Sequence, residues 1–128
     1  MSQLTDGFIK LLRNLRAVRE YTSEPIPEAA LNDILEVGRW SGSASNKQPT
    51  ELIVVRDPAI KQKITEGGVR AAANSALAFV IVTPGNPDLK DLEVFDDGRR
   101  AERRMLAAKA HGLGACVGML KGEGPGSI

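Results

Sequence analysis

The chain has 128 residues, the length of one ordinary domain, and its 42% hydrophobic and 26% charged residues are the balance of a folded protein rather than a disordered one. Seventeen Lys and Arg against sixteen Asp and Glu leave a net charge of +1, so no bulk field draws it to nucleic acid or to a membrane surface. A single cysteine, Cys116, and a single histidine, His111, exclude an internal disulfide and a multi-histidine metal centre, and no CxxC, HExxH or EF-hand pattern occurs.

Phe8, Leu11, Leu12 and Leu15 recur at helical spacing and predict a first helix over 5–15, with Thr5 or Asp6 as its N-cap. Pro25 and Pro27 break the chain before a second helix over about 27–39. Pro27 suits its first turn, Glu28 the positive end of its dipole, and Leu31, Ile34, Leu35 and Gly38 share one face. A polar loop, SGSASNKQP, precedes a β-branched run at 52–55 that reads as a buried strand. Asp57 and Pro58 open a helix to about residue 65, and the Ala-rich stretch 69–76 predicts another, shorter one. A second strand over 77–83 is closed by Pro84 and Gly85, and a loop rich in Asp, Pro and Asn leads to a strong helix over about 97–112. Ala101, Met105, Leu106, Ala108 and Leu113 mark its inner side, and Gly112 and Gly114 end it. A third strand over 115–120 and an aperiodic tail, KGEGPGSI, complete the chain.

This alternation predicts an α/β (α+β) domain with helices packed on a small sheet. A sheet of so few strands has an edge to cover, and a helix lined with alanine admits close approach; both point to a partner chain. The apolar stretch 76–83 is far short of a membrane span of about 20 residues. MSQLTDGFIK has no basic region ahead of an apolar one, so no secretory leader is expected, and the lone thiol suits a cytoplasmic protein.

Chemistry has few places to reside. Arg16-Ala17-Val18-Arg19-Glu20-Tyr21 sets two guanidinium groups on one side of a turn, with Arg13 a turn earlier. Such groups match phosphate oxygens with paired hydrogen bonds, although the same residues also make a solvated basic face. In the loop Ser43-Ala44-Ser45-Asn46-Lys47-Gln48-Pro49 two carboxamides offer both donor and acceptor, which is what the edge of a planar ring with alternating C=O and N–H groups requires. An ordinary polar loop has the same composition. Gly112-Leu113-Gly114-Ala115-Cys116-Val117-Gly118 is no dinucleotide fingerprint, because it follows a helix and opens a strand instead of the reverse. Cys116 reads as a buried apolar thiol, His111 as a partner for a helix-end carbonyl, and Trp40 and Tyr21 as core or seam residues. Arg99, Arg100, Arg103 and Arg104, with Asp96, Asp97 and Glu102, read as a salt-bridged outer helix face.

In this order the segments resemble the nitroreductase family of FMN-dependent oxidoreductases. The resemblance is carried by Arg16-Ala17-Val18-Arg19-Glu20-Tyr21, Glu24-Pro25-Ile26-Pro27, Arg39-Trp40-Ser41-Gly42-Ser43-Ala44-Ser45-Asn46-Lys47-Gln48-Pro49 and the strand at 52–55. Phe95-Asp96-Asp97-Gly98-Arg99 and Met105-Leu106-Ala107-Ala108, then His111-Gly112-Leu113-Gly114-Ala115-Cys116, resemble the later helix and glycine-rich entry. The resemblance implies a mixed sheet flanked by helices, and an intimate homodimer with FMN at the interface. It implies hydride transfer from NAD(P)H to a nitroaromatic, a quinone or a similar small acceptor. It places Arg16, Ala17 and Arg19 at the flavin phosphate and ribityl chain, Ser43, Asn46 and Gln48 against the flavin, and Gly118 beside the ring. The flavin then carries the chemistry, with no catalytic side chain and no metal. Leu15 and Ala17 stand where the family often has Arg and Ser, and Thr50 where it commonly has an aromatic. The expected unit is a single domain, 1–128, lacking the family's last strand and C-terminal arm. A flavin-binding module without turnover, or an inactive fragment, is the alternative.

Overall fold

The computed structural model describes residues 2–121, which form α1 (Gln3–Asn14), α2 (Glu28–Arg39), a 3-10 turn (Ala44–Asn46), β1 (Glu51–Val55), α3 (Pro58–Glu66), β2 (Ala78–Val82) and α4 (Lys90–Ala110). α1 begins earlier than its apolar spacing predicts, because Ser2, not Thr5 or Asp6, supplies the cap: its Oγ accepts from the Thr5 amide at 3.2 Å. No residue of α1 is buried, and Leu4 and Phe8 are exposed. α2 follows the expected bounds. It turns Ala30, Leu31, Ile34 and Gly38 inward, with Leu35 only half-buried, and it packs on α4.

β1 and β2 form a two-stranded antiparallel sheet in which Glu51 faces Val82, Ile53 faces Val80 and Val55 faces Ala78. α3 starts on Asp57, whose carboxylate accepts from the Ala59 and Ile60 amides, and on Pro58, whose missing N–H costs nothing at that position. Val55, Ile64 and Ala72 make the buried cluster here, flanked by Val69, Ala78, Val80 and Leu120. The strand expected to be buried is not: within β1 only Val55 is buried, while Ile53 and Val54 are exposed.

Two expected elements are absent among the described residues. Residues 69–76 form turns and bends instead of a helix. Ala72 and Ser75 each bond three residues back, Ser75 Oγ adds a bond to the Ala72 carbonyl, and the Ala73 amide is taken by Thr65 Oγ1. Side-chain competition of this kind closes turns where a helix ladder would propagate. Residues 115–120 run without a strand ladder; backbone bonds at Ala115 and Lys121 tie the segment to Val18 and Gly67. Among the described residues the sheet therefore has two strands and not three. The tail beyond Lys121 lies outside the described residues.

α4 is longer than predicted and inverted in character. It starts at Lys90, where Asp91 and Glu93 favour the positive end of the dipole, after an Asn86 side-chain turn. Its buried stripe is Glu93, Asp96, Arg100, Arg104 and Ala108, whereas Ala101, Met105 and Leu106 are half-buried on its flank. Glu93 accepts from the Gly85 amide at 3.1 Å and Asp96 from the Ala44 amide at 2.8 Å. No helix or sheet ladder takes either amide, and the helix's inward carboxylates bond them instead; Gly85 is exposed and Ala44 half-buried. At its far end the Gly112 amide bonds the Lys109 carbonyl and the Leu113 amide the Ala108 carbonyl, with Gly112 at φ +73: a Schellman terminus.

Candidate functional site

The chain leaves α1 extended, with Leu15 at φ −62 and ψ 128. The Val18 amide donates to the Ala115 carbonyl at 2.9 Å, which seats residues 15–21 against the glycine-rich stretch after α4. Gly114 permits this approach, since a Cβ there would meet Val18 Cγ1 at 2.7 Å. Arg16 is exposed and donates through Nη1 to the carbonyls of Arg13 (3.0 Å) and Leu15 (2.7 Å), leaving Nε and Nη2 uncommitted. Arg19 and Ala17 are exposed beside it.

The loop between α2 and β1 is tightly built. The Asn46 and Lys47 amides bond the Ser43 and Ala44 carbonyls, the Gln48 amide donates to Ser43 Oγ at 2.9 Å, and Gln48 Nε2 donates to Asn46 Oδ1 at 2.7 Å. Ser45, Asn46 and Gln48 all have left-handed φ, at 53, 51 and 52. Outside glycine such backbone costs of the order of 1 kcal/mol or more, and it persists only where surrounding contacts over-determine it. Here the Asp96 clasp on Ala44 supplies one such contact. The Ser43 hydroxyl proton, the Asn46 amide donors and the Gln48 carbonyl oxygen stay uncommitted.

No hydrogen bond among the described residues joins Arg16 or Arg19 to this loop. The two segments are related through α4, which packs against both α1 and the 3-10 turn. Gly118 is exposed, and its missing side chain answers to Val69, whose Cγ1 would lie 2.6 Å from a Cβ.

Several residues depart from expectation. Cys116 is half-buried and hydrogen-bonded to the Tyr21 hydroxyl at 3.2 Å, not an isolated apolar thiol. Burial pushes the Tyr21 phenol well above its ordinary range, the Cys116 contact adds to this, and the charge of Arg19 opposes it. His111 Nε2 meets Asp33 Oδ2 at 2.8 Å on α2, where a helix-end carbonyl was expected. Trp40 is exposed, and its indole N–H donates to Glu36 Oε1 at 2.6 Å. The hydrogen bond from Arg39 and then that from Trp40 hold the Glu36 carboxyl below its usual range.

The arginine cluster is an outer face only in part: Arg99, Glu102 and Arg103 are exposed, and Arg99–Asp96 and Arg100–Asp97 lie at ion-pair distances of 3.4 and 3.7 Å. Arg100 and Arg104 are buried, and Arg103 donates to the Trp40 carbonyl at 2.7 Å. Asp97, pushed up by burial and drawn back by Arg100, takes a bond from Thr50 at 3.4 Å. Arg104 packs beneath α2: a Cβ at Gly38 would lie 2.5 Å from its Nη2. Its Nε and Nη1, with Arg100 Nη1 and Ser41 Oγ, are buried without a hydrogen-bond partner. Composition could not reveal this, but the spacing of 93, 96, 100, 104 and 108 is itself a helical stripe. Phe95, Gly98, Arg99, Glu102 and Arg103 line a shallow open groove on α4. No group of acidic, His or Cys residues among the described residues is placed to hold a metal ion, and no described helix is long and apolar enough to cross a membrane.

The free functional groups are thus guanidinium donors on one segment and a hydroxyl with two carboxamides on the other. That set suits a phosphate ester joined to a planar, amide-edged ring.

Comparison with known proteins bears on this set. Residues 12–94 match the model of the nitroreductase family. The chain is similar to an NADH dehydrogenase of Thermus thermophilus, with 37% identity over 100 residues, 74% of this chain and 48% of that protein. Among solved structures it superposes on an FMN-dependent nitroreductase of Clostridium difficile with a TM-score of 0.73 and 28% identity, covering 84% of this chain and 64% of that one. A nitroreductase in complex with FMN from Desulfovibrio desulfuricans gives a TM-score of 0.73 at 25% identity, with the same coverage of 84% and 64%. The chain therefore spans about half the length of the Thermus relative.

Proposed function

This chain belongs to the nitroreductase family, and from that premise we propose that it forms the flavin-holding part of an FMN-dependent NAD(P)H oxidoreductase. The observation that carries the reading is the 43–48 turn, a strained, non-glycine backbone clasped by Asp96 that presents a hydroxyl and two carboxamides. Strain of this sort clusters at ligand-binding and active sites. Arg16, through its free Nε and Nη2, and Arg19 pair with the phosphate, with the exposed Ala17 between them. Ser43, Asn46 and Gln48 hold and orient the ring edge, and Gly118 leaves bare backbone beside it. Bound FMN supplies the redox chemistry, accepting hydride from NAD(P)H and reducing a nitroaromatic, a quinone or a similar small acceptor. The side chains bind and orient, and none is required as an acid or base.

A second copy of the chain completes the site. Leu4, Phe8 and Leu12 recur on one face of α1 and are all exposed, and an apolar stripe of that kind favours a covering partner. The single cysteine and the near-neutral charge favour a cytoplasmic protein that meets neither nucleic acid nor membrane. The described residues, 2–121, are read as a single domain. The test is titration of the full chain with FMN, read by quenching of flavin fluorescence, followed by NADPH oxidation with menadione. Quenching with turnover supports the proposal, and a chain indifferent to FMN refutes it. The second reading, a flavin-binding module without turnover, is favoured by Leu15 and Ala17, which leave fewer donors at the phosphate; quenching without NADPH oxidation identifies it.

A further inference from the structure

Tyr21 is the only tyrosine in the chain, and its hydroxyl sits at a junction. It lies 2.6 Å from the Val18 carbonyl and 3.2 Å from Cys116 Sγ. A carbonyl can only accept, so the single phenol proton goes to Val18, and the Cys116 thiol donates to the phenol oxygen. Around this junction the Val18 amide bonds the Ala115 carbonyl, and Val18 packs where Gly114 lacks a side chain. Both backbone groups of Val18 are thereby committed, and Val18, with Ala17, joins Arg16 to Arg19. The segment has no helix or strand ladder of its own to hold it. Its conformation rests on these contacts with residues 114–116 and on the Arg16 bonds to local carbonyls.

We propose that Tyr21 is a positioning residue: by fixing the Val18 carbonyl and gripping Cys116, it locks the segment bearing Arg16 and Arg19 so that both guanidinium groups address one phosphate. The inference rests on the flavin reading above and deepens it. It makes a distinction that a general packing role does not, because Tyr21 then acts on the phosphate alone. Riboflavin, which lacks the phosphate, is indifferent to that alignment. Burial of the phenol is consistent with its staying protonated and able to donate across the neutral range.

The experiment measures dissociation constants of FMN and riboflavin for the full chain and for Tyr21→Phe, with circular dichroism as the check of folding. Loss of the Val18 and Cys116 bonds is expected to weaken FMN binding by about three- to tenfold, the scale of one hydrogen bond, with riboflavin affinity unchanged. Equal weakening of both ligands, or no change in either, overturns the proposal. If Tyr21→Phe does not fold, Cys116→Ala carries the test by the same ratio, and Cys116→Ser, which keeps a donor, is expected to restore it. A wild-type chain that binds neither ligand refutes the flavin reading itself. A wild-type chain that prefers FMN to riboflavin, with the preference intact in the variant, refutes only the part assigned to Tyr21.

Discussion

Replacing Arg104 with methionine is expected to stabilise this protein. Arg104 is only 9% exposed, and its Nε and Nη1 have no partner. Burial depresses its pKa, and the charge of Arg100 one turn away adds to that effect. Each buried donor left unmade costs about 1–3 kcal/mol, and replacement of buried ionic groups by apolar ones of similar size gains about 1–4 kcal/mol. Methionine keeps the length and flexibility of the aliphatic stem, so the packing under α2 survives. The net expectation is a gain of about 1–3 kcal/mol, read as a higher urea midpoint at unchanged slope. Arg103→Met is the contrast on the same helix. It removes a 2.7 Å bond to the Trp40 carbonyl and is expected to cost about 0.5–1.5 kcal/mol. A loss of more than about 1 kcal/mol in Arg104→Met would refute the reasoning, because it would require a stabilising partner for those two nitrogens. A double-mutant cycle sharpens the test. Gly38→Ala forces a Cβ against the guanidinium, and its cost should shrink when Arg104 is already methionine, with a coupling of about 0.5–3 kcal/mol.

Arg16→Ala is expected to weaken FMN binding by about 1–3 kcal/mol in the same quenching titration, and unchanged affinity would leave Arg16 a surface charge. Gly118→Ala places a methyl 2.6 Å from Val69 Cγ1 and is expected to cost about 1–3 kcal/mol of stability, measured by urea unfolding. The phenol of Tyr21 titrates higher folded than unfolded, so its contribution is fully present below its ordinary pKa of about 10 and is lost as pH rises towards the folded value. Stability should therefore fall more steeply above about pH 10 in the wild type than in Tyr21→Phe, as followed by urea midpoints. Sedimentation at micromolar concentration is expected to show a dimer, and a clean monomer would contradict the covered-face reading.

The parts of the fold legible in the sequence are those set by local chemistry. Pro27 and Glu28 start α2, and Asp57 with Pro58 starts α3, within a residue of where they are expected, because caps and imino rings act on their own backbone. α4 was legible at its C-terminus, where Gly112 supplies the left-handed residue, and not at its start. The predicted start at about 97 leaves Asp96 in the preceding loop, yet Asp96 is engaged within the helix by an amide 52 positions away, which no local window contains. The orientation of α4 departs from its apolar pattern for a related reason. Apolar patterning assumes that burial selects apolar groups, whereas this stripe is buried to serve loop amides at Gly85 and Ala44 and to fill the space under Gly38. The segment at 115–120 has the composition of a strand and no neighbour to complete a ladder among the described residues. At the candidate site, residue types were readable but not their engagement: the left-handed backbone of Ser45 and Gln48, and the grip of Tyr21 on Val18 and Cys116, are tertiary facts.

The clasps on α4 make it a molecular ruler. Glu93 and Asp96 hold loops near one end, and the Gly112 terminus aims the chain at Val18 from the other. One residue inserted between them would rotate everything downstream by about 100° and advance it by about 1.5 Å, dissociating the two halves of the site. Grafts and tags therefore belong in the 86–88 turn, upstream of the measured span, while α4 itself tolerates exchange of side chains but not a change of length.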